Sequence, residues 1–224
     1  MFKIKYVVAL FALTIAIGLG AYATQADAGG PNPVVIMDTS MGRIIIMLDP
    51  KKAPNTVKNF LRYVDEGFYD GTIFHRVMKQ EIDDTEDKRK QKINIVQGGG
   101  FDFPMRKKRP LWGPIKNESG GSLQNNKGTI AMARASASDS ATCQFFFNMQ
   151  DNPSLNPLIV KKKVWGEVKD NSNEELRPGY TAFGRVIRGW DTVEKIHDVK
   201  TTTSGRYQNV PAKPIYIKKA YRAK

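Results

Sequence analysis

The sequence predicts a mainly β fold, a barrel or a sandwich capped by helices. Three observations carry this expectation. Short runs rich in β-branched and aromatic residues recur along the chain. Only two segments repeat their apolar residues at helical spacing. Glycine and proline, 19 and 12 of them in 224 residues, punctuate the runs and keep each one short.

Residues 1–28 read as a signal peptide. Lys3 and Lys5 precede an apolar run from Tyr6 to Leu19, and Ala26-Asp27-Ala28 supplies a small-x-small cleavage pattern. The run falls short of the ~20 residues that span a bilayer. A cleaved leader is therefore expected in place of a stable membrane anchor, and the protein is expected to be exported, to the periplasm ahead of full secretion.

Residues 29–224 suffice for a single domain. Residues 34–37 and 43–48 form an opening hairpin about a turn at 39–42. A helix follows over 54–64, with Val57, Phe60, Leu61 and Val64 on one face and Gly67 as its stop. A strand over 72–78 is expected to carry Phe74 and Arg76 on one face and His75 on the other. Next comes a charged insertion, 80–92, whose five acids precede four bases; it is too polar to bury itself. Strands are expected again over 93–97, ending at Gly98-Gly99-Gly100, and over 129–133, 144–149 and 182–187. A second helix covers 191–197 with Val193 and Ile196 facing inward, and 215–217 reads as the closing strand. No internal repeat and no second domain is apparent.

Composition narrows the function classes. Cys143 is the only cysteine, so no intramolecular disulfide can form, and a buried, inert thiol is expected. The net charge of +13 favours anionic surfaces or acidic proteins. Export argues against nucleic acid as the partner. The cluster Arg106-Lys107-Lys108-Arg109 reads either as a grip for an acidic partner or as a solvated loop. With two histidines, no metal-ligand cluster, no Gly-x-Ser-x-Gly elbow and no phosphate loop, neither a cofactor nor a metal is expected. A monomer is the default for a small barrel.

Three segments hold most of the remaining chemistry: Phe74-His75-Arg76, Gln97-Gly98-Gly99-Gly100-Phe101 and Gln144-Phe145-Phe146-Phe147-Asn148. With Asn55-Thr56-Val57-Lys58-Asn59-Phe60 and Gly128-Thr129-Ile130-Ala131-Met132-Ala133-Arg134, in this order and spacing, the chain resembles the cyclophilins, the cyclosporin-type peptidyl-prolyl isomerases. The resemblance spans nearly all of residues 29–224. It implies a closed antiparallel eight-stranded β-barrel capped by two α-helices. It also implies an enzyme that accelerates rotation about X-Pro bonds in unfolded or partly folded polypeptides. By position it makes Arg76 catalytic and gives Gln97 the substrate carbonyl. Phe146, Ile95, Leu155 and Tyr180 would then line the proline pocket. Ala133 and Arg134 would lie along the substrate backbone, and Gln144 would be the polar residue beneath.

That chemistry fits the inventory. Amide resonance sets a rotation barrier of ~18–20 kcal/mol, and X-Pro isomers exchange over tens to hundreds of seconds, as an approximate range. Lowering the barrier takes no nucleophile and no proton relay. It takes a donor to the prolyl nitrogen that is stronger when the bond is twisted, and an apolar grip on the ring. Bland alternatives exist for each residue: Arg76 in a barrel salt bridge, His75 as structural, and His197 as a complement to the dipole of the second helix. Phe145, Phe146 and Phe147 cannot all face one side of a strand, so at least one is core.

The chain departs from the family in five places. The insertion 80–92 lengthens the path from Arg76 to Gln97. Asn94 stands where an aromatic wall is usual, Ser154 where an aromatic that helps to bind cyclosporin is usual, and Tyr180 where many members have histidine. Weak inhibition by cyclosporin is expected. The stretch 158–176 is polar and long. Two readings result: an exported prolyl isomerase that assists the folding of exported proteins, or a cyclophilin-like binding module with weak or no turnover.

Overall fold

Apolar alternation along the first two strands already sets an inside and an outside. In β1 (Val34–Thr39) and β2 (Gly42–Leu48), every second residue is buried: Val35, Met37 and Thr39 on one, Ile44, Ile46 and Leu48 on the other. The computed structural model describes residues 31–79, 93–161 and 174–223, and the folded unit is Asn32–Lys224. The expected signal peptide and the insertion 80–92 lie outside the described residues.

Helix α1 (Pro54–Asp65) begins with proline at its first turn, where the missing N–H costs nothing. Its remaining N-terminal donors are satisfied from far along the chain. Glu118 Oε1 accepts from the Asn55 N–H at 3.0 Å, and Oε2 accepts from the Thr56 N–H and hydroxyl at 2.8 and 2.7 Å. A carboxylate at this end also suits the helix dipole. The inner face, Val57, Phe60, Leu61 and Val64, is buried as its spacing predicts.

The remaining elements are β3 (Thr72–Met78), β4 (Ile95–Asp102), β5 (Arg106–Lys107), β6 (Thr129–Met132), β7 (Phe145–Asn148), β8 (Leu158–Lys161), β9 (Glu174–Arg177), β10 (Ala182–Arg188), α2 (Trp190–His197), β11 (Thr201–Ser204), β12 (Tyr207–Pro211) and β13 (Ile217–Arg222). Antiparallel pairing runs β13-β1-β2-β10-β6-β7-β4-β3. The seam between the two end strands is crossed by the Gly71 N–H to the Ile217 carbonyl at 2.8 Å and the Phe74 N–H to the Ile215 carbonyl at 2.9 Å. These bonds decide between sandwich and barrel: the structure is a nearly closed eight-stranded antiparallel barrel, with two α-helices among the described residues. Closure brings the two edges of the eight-stranded sheet together, which removes them as free edges.

The interior is aromatic. Phe60 from α1 lies 5.1 Å from Phe183, 5.3 Å from Tyr69 and 5.7 Å from Phe145, the last edge to face. Phe145 and Phe147 belong to this core, whereas Phe146 points out of the barrel into a separate apolar cluster. Cys143 is buried in the core, and burial raises its thiol pKa.

Several expectations change. The three glycines do not end β4 but lie within it, because their neighbours leave no room for a side chain. A Cβ on Gly98 would sit 2.9 Å from the Phe74 ring, and Gly99, at φ +79, would strike Tyr69 and Phe145 at 2.8 Å. The closing strand begins at Ile217, where 215–217 was expected to end; Lys218 and Lys219 disguise it. Strands β5, β8, β9, β11 and β12 are additional. His197 lies in the last turn of α2, where burial lowers its pKa and Nε2 meets the Met78 carbonyl at 3.1 Å.

Candidate active site

The site is organised by a bulge in β3. Phe74 pairs with Gly98, but Arg76 pairs with Gln97, so His75 and Arg76 together oppose one residue of β4. The extra residue overturns the expected facing. Phe74 and Val77 enter the core, while His75 and Arg76 line the same cavity outside it. Strict alternation along the strand would have separated them.

Register then carries a row of side chains around the outer face. Arg76 pairs with Gln97, Gln97 with Phe146, Phe146 with Ala131, and Ala131 with Ala182. Directly paired residues of an antiparallel ladder share a face. A fixed cation, a side-chain amide and an aromatic ring therefore stand side by side on three adjacent strands.

Around Phe146 the row opens into an apolar cluster distinct from the barrel core. Ile95, Ala131, Leu155 and Ala182 are buried with it, and Ala133 and Tyr180 pack against them. Tyr180 meets Phe146 edge to face at 5.7 Å. The four residues predicted for the pocket, Phe146, Ile95, Leu155 and Tyr180, converge here, and Ala133, expected along the substrate backbone, packs against them. Sequence reasoning missed Met78, Ile93 and Leu123, which complete the cluster. Period-two spacing from Arg76 and Ile95 signals the first two; nothing local signals Leu123.

Leu155 and Tyr180 come from distant segments, and buried asparagine holds them together. The Tyr180 N–H donates to the Leu155 carbonyl at 2.8 Å. Asn125 Nδ2 donates to the Leu155 and Tyr180 carbonyls at 3.2 and 3.0 Å, and Asn148 Nδ2 donates back to Asn125 Oδ1 at 3.2 Å. Asn125 sits in a loop, where asparagine ordinarily signals only a turn, so its role was not legible.

Arg134 is engaged by main chain. Its guanidinium donates to the carbonyls of Gly179, Pro178, Ala135 and Ser136 at 3.1–3.2 Å and lies 4.6 Å from the Tyr180 ring centroid. It braces the pocket wall with its side chain. Asn94 turns from the pocket toward Gln150, donating at 2.6 Å, and Ser154 is exposed beside Leu155.

The polar half is sparse. Gln97 Nε2 donates to Gln144 Oε1 at 3.0 Å, which uses one of its two amide protons. Gln144 fits because Gly100 lies beneath it: a Cβ there would be 2.5 Å from Gln144 Cδ and Nε2. Arg76 is partly exposed and makes no ion pair with any described residue. His75 is buried, with its ring 4.4 Å from Phe101. Burial, reinforced by the charge on Arg76, lowers its pKa to about 4, so the imidazole is neutral at ordinary pH.

The chain matches the family described as cyclophilin type peptidyl-prolyl cis-trans isomerase/CLD over residues 34–222. It is 41% identical over 211 residues to peptidyl-prolyl cis-trans isomerase A of Dickeya dadantii, covering 94% of this chain and 95% of the relative. It is 42% identical to a peptidyl-prolyl cis-trans isomerase of Acinetobacter baylyi, covering 91% and 92%. A crystal structure of a Cryptosporidium parvum cyclophilin type isomerase shares the fold with a TM-score of 0.60 at 22% identity, covering 86% of this chain and 98% of that one.

Proposed function

Because this chain belongs to the cyclophilin-type peptidyl-prolyl cis-trans isomerases, and is an enzyme of that class, we propose that Arg76 and Gln97 carry the rotation and that the Phe146 cluster holds the proline ring. The observation that carries this assignment is the cross-strand row. It sets a cation and an amide beside an apolar hollow, at the spacing of adjacent strands.

Twisting the X-Pro bond breaks amide resonance and returns the lone pair to the prolyl nitrogen. An N–H of Arg76 donates to that lone pair, a bond available only once the nitrogen is pyramidal, so it stabilises the twisted state selectively. With no described carboxylate paired to it, the guanidinium is free to turn toward substrate. The second amide proton of Gln97 reaches the carbonyl oxygen of the residue before proline, while Gln144 fixes the amide plane. Phe146, Ile95, Leu155 and Tyr180 grip the ring so that the acyl side turns against a fixed proline. The segment at Ala133 and Arg134, just past the end of β6, guides the substrate backbone. No proton changes owner, and no cofactor enters.

Substrates are proline-containing unfolded or partly folded polypeptides. The leader at 1–28 supports export, and with it a role in folding exported proteins in the periplasm; recovery of a periplasmic form starting at Gly29 is the expected result of fractionation and N-terminal sequencing. Arg76→Ala tests the catalytic assignment. Loss of one transition-state donor is expected to lower kcat/KM by about 100-fold or more, and Arg76→Lys should restore little because the planar fork is lost. Full activity in Arg76→Ala would remove Arg76 from the mechanism.

A further inference from the structure

A second cavity of about 490 Å³ adjoins Arg76 and Gln97 on the side away from the apolar cluster. Its base is a chain of ring contacts: His75 lies 4.4 Å from Phe101, tilted against it, and Phe101 meets Tyr207 edge to face at 5.2 Å. Its rim carries two further cations from separate elements. Lys107 comes from β5, and Arg206 comes from the turn joining β11 to β12. No carboxylate is among the described residues that line it.

The basic cluster at 106–109 is divided by the fold. Arg106 pairs with Asp102 at 3.5 Å, and Lys108 Nζ donates to the Phe68 carbonyl at 2.5 Å. Lys107 is the member turned to the cavity, and it has no carboxylate partner among the described residues. Arg206 donates to the Tyr207 hydroxyl at 3.2 Å, a neutral partner that leaves its charge uncompensated. With Arg76, three fixed cations surround a space large enough for a side chain. Gln144 and Asn209 add amide groups to its wall.

We infer that this cavity is a subsite for an acidic side chain, aspartate or glutamate, adjacent to the proline of the substrate, held by Lys107 and Arg206. The inference rests on the placement of the reacting bond at Arg76 and Gln97, since these two residues wall both spaces. A chain advances at most about 3.3–3.6 Å per residue, so only residues within one or two positions of the bond reach the cavity. The subsite selects among prolines by what flanks them, which the apolar pocket cannot do.

The test compares matched short peptides that differ only in a glutamate, glutamine or lysine next to proline, on either side of it. For the wild type at low ionic strength, kcat/KM for the glutamate peptide should exceed that for glutamine by about five- to ten-fold at one of the two positions, as two or three partly exposed ion contacts allow. The lysine peptide should fall below glutamine, and about 0.5 M salt should remove most of the difference. In Lys107→Gln/Arg206→Gln, which changes only exposed side chains, the glutamate-to-glutamine ratio should fall to about one. Equal rates for glutamate and glutamine in the wild type, with the glutamine peptide turned over readily, would overturn the subsite and leave the isomerase assignment standing. A glutamate preference that survives in the double variant would overturn the assignment to these two residues. Failure to turn over any peptide would bring down the underlying assignment and the subsite with it.

Discussion

Gly100→Ala should impair catalysis without unfolding the protein, because its effect is confined to one flexible side chain. Gly100 lies in β4 at an ordinary φ, so alanine meets no backbone strain. The new methyl would stand 2.5 Å from Gln144 Cδ and Nε2. Non-bonded carbon contacts settle near 3.5–4.0 Å, as an approximate range, so the Gln144 amide must retreat by roughly 1 Å or more. That breaks the 3.0 Å bond that orients Gln97. A neutral hydrogen bond is worth about 1 kcal/mol, or roughly five-fold, and a misplaced amide at the reacting centre extends the loss toward about 100-fold. The assay is kcat/KM on a short proline peptide, with urea unfolding alongside. A fall of about five- to 100-fold with stability within about 1 kcal/mol of wild type is expected. Gln144→Ala should produce a similar fall, and the two changes combined should cost little more than either alone. Additive losses in the double variant would refute the argument, since they would show Gly100→Ala acting by some route other than Gln144.

Other consequences are independent of that glutamine. Asn125→Ala removes the donor shared by the Leu155 and Tyr180 carbonyls; a cost of about 1–3 kcal/mol in urea unfolding is expected, with KM raised more than kcat is lowered as the pocket walls loosen. His75 gives stability a pH dependence with a definite sign. Its folded pKa of about 4 lies below the ordinary 6.5, so the unfolded chain takes up a proton first as pH falls. The contribution is whole above pH 6.5 and is lost on descent to about 4, by roughly 3 kcal/mol. Urea unfolding at pH 7 and 4.5 should show a smaller acid loss in His75→Phe. Activity itself should be flat between about pH 6.5 and 9, since His75 is neutral throughout that range. Ser154→Trp, at an exposed position beside Leu155, should strengthen inhibition by cyclosporin about ten-fold, the worth of one aromatic contact.

Much of the fold is legible because its signals are local. The helical spacing of Val57, Phe60, Leu61 and Val64 gives α1, and the runs at 43–48 and 72–78 give β2 and β3 almost to the residue. What escapes is set by tertiary contact. Period-two reasoning has no place for a bulge, so it put His75 opposite Arg76, when the extra residue brings both to one cavity. Glycines 98–100 look like punctuation, yet they are strand residues cleared of side chains by Phe74, Tyr69, Phe145 and Gln144. The β11–β12 ribbon is polar along most of its length and buries only Val210 and Pro211 at its end, too little to announce it, although three threonines before Ser204-Gly205 form a usable hairpin signal. The pocket residues were placed by resemblance, and register explains why they meet. The cation at Lys107 could not be singled out from its neighbours until Arg106 and Lys108 were seen to be occupied elsewhere.

The central claim is that Arg76 acts on the twisted bond and contributes little to holding the substrate. Exchange spectroscopy on a short alanine-proline peptide, with wild type and Arg76→Ala, separates the two roles. In both proteins the peptide should shift resonances of Phe146, Leu155 and Tyr180, and only the wild type should accelerate cis–trans exchange. Undiminished exchange in the variant, or loss of peptide binding together with exchange, would contradict the claim.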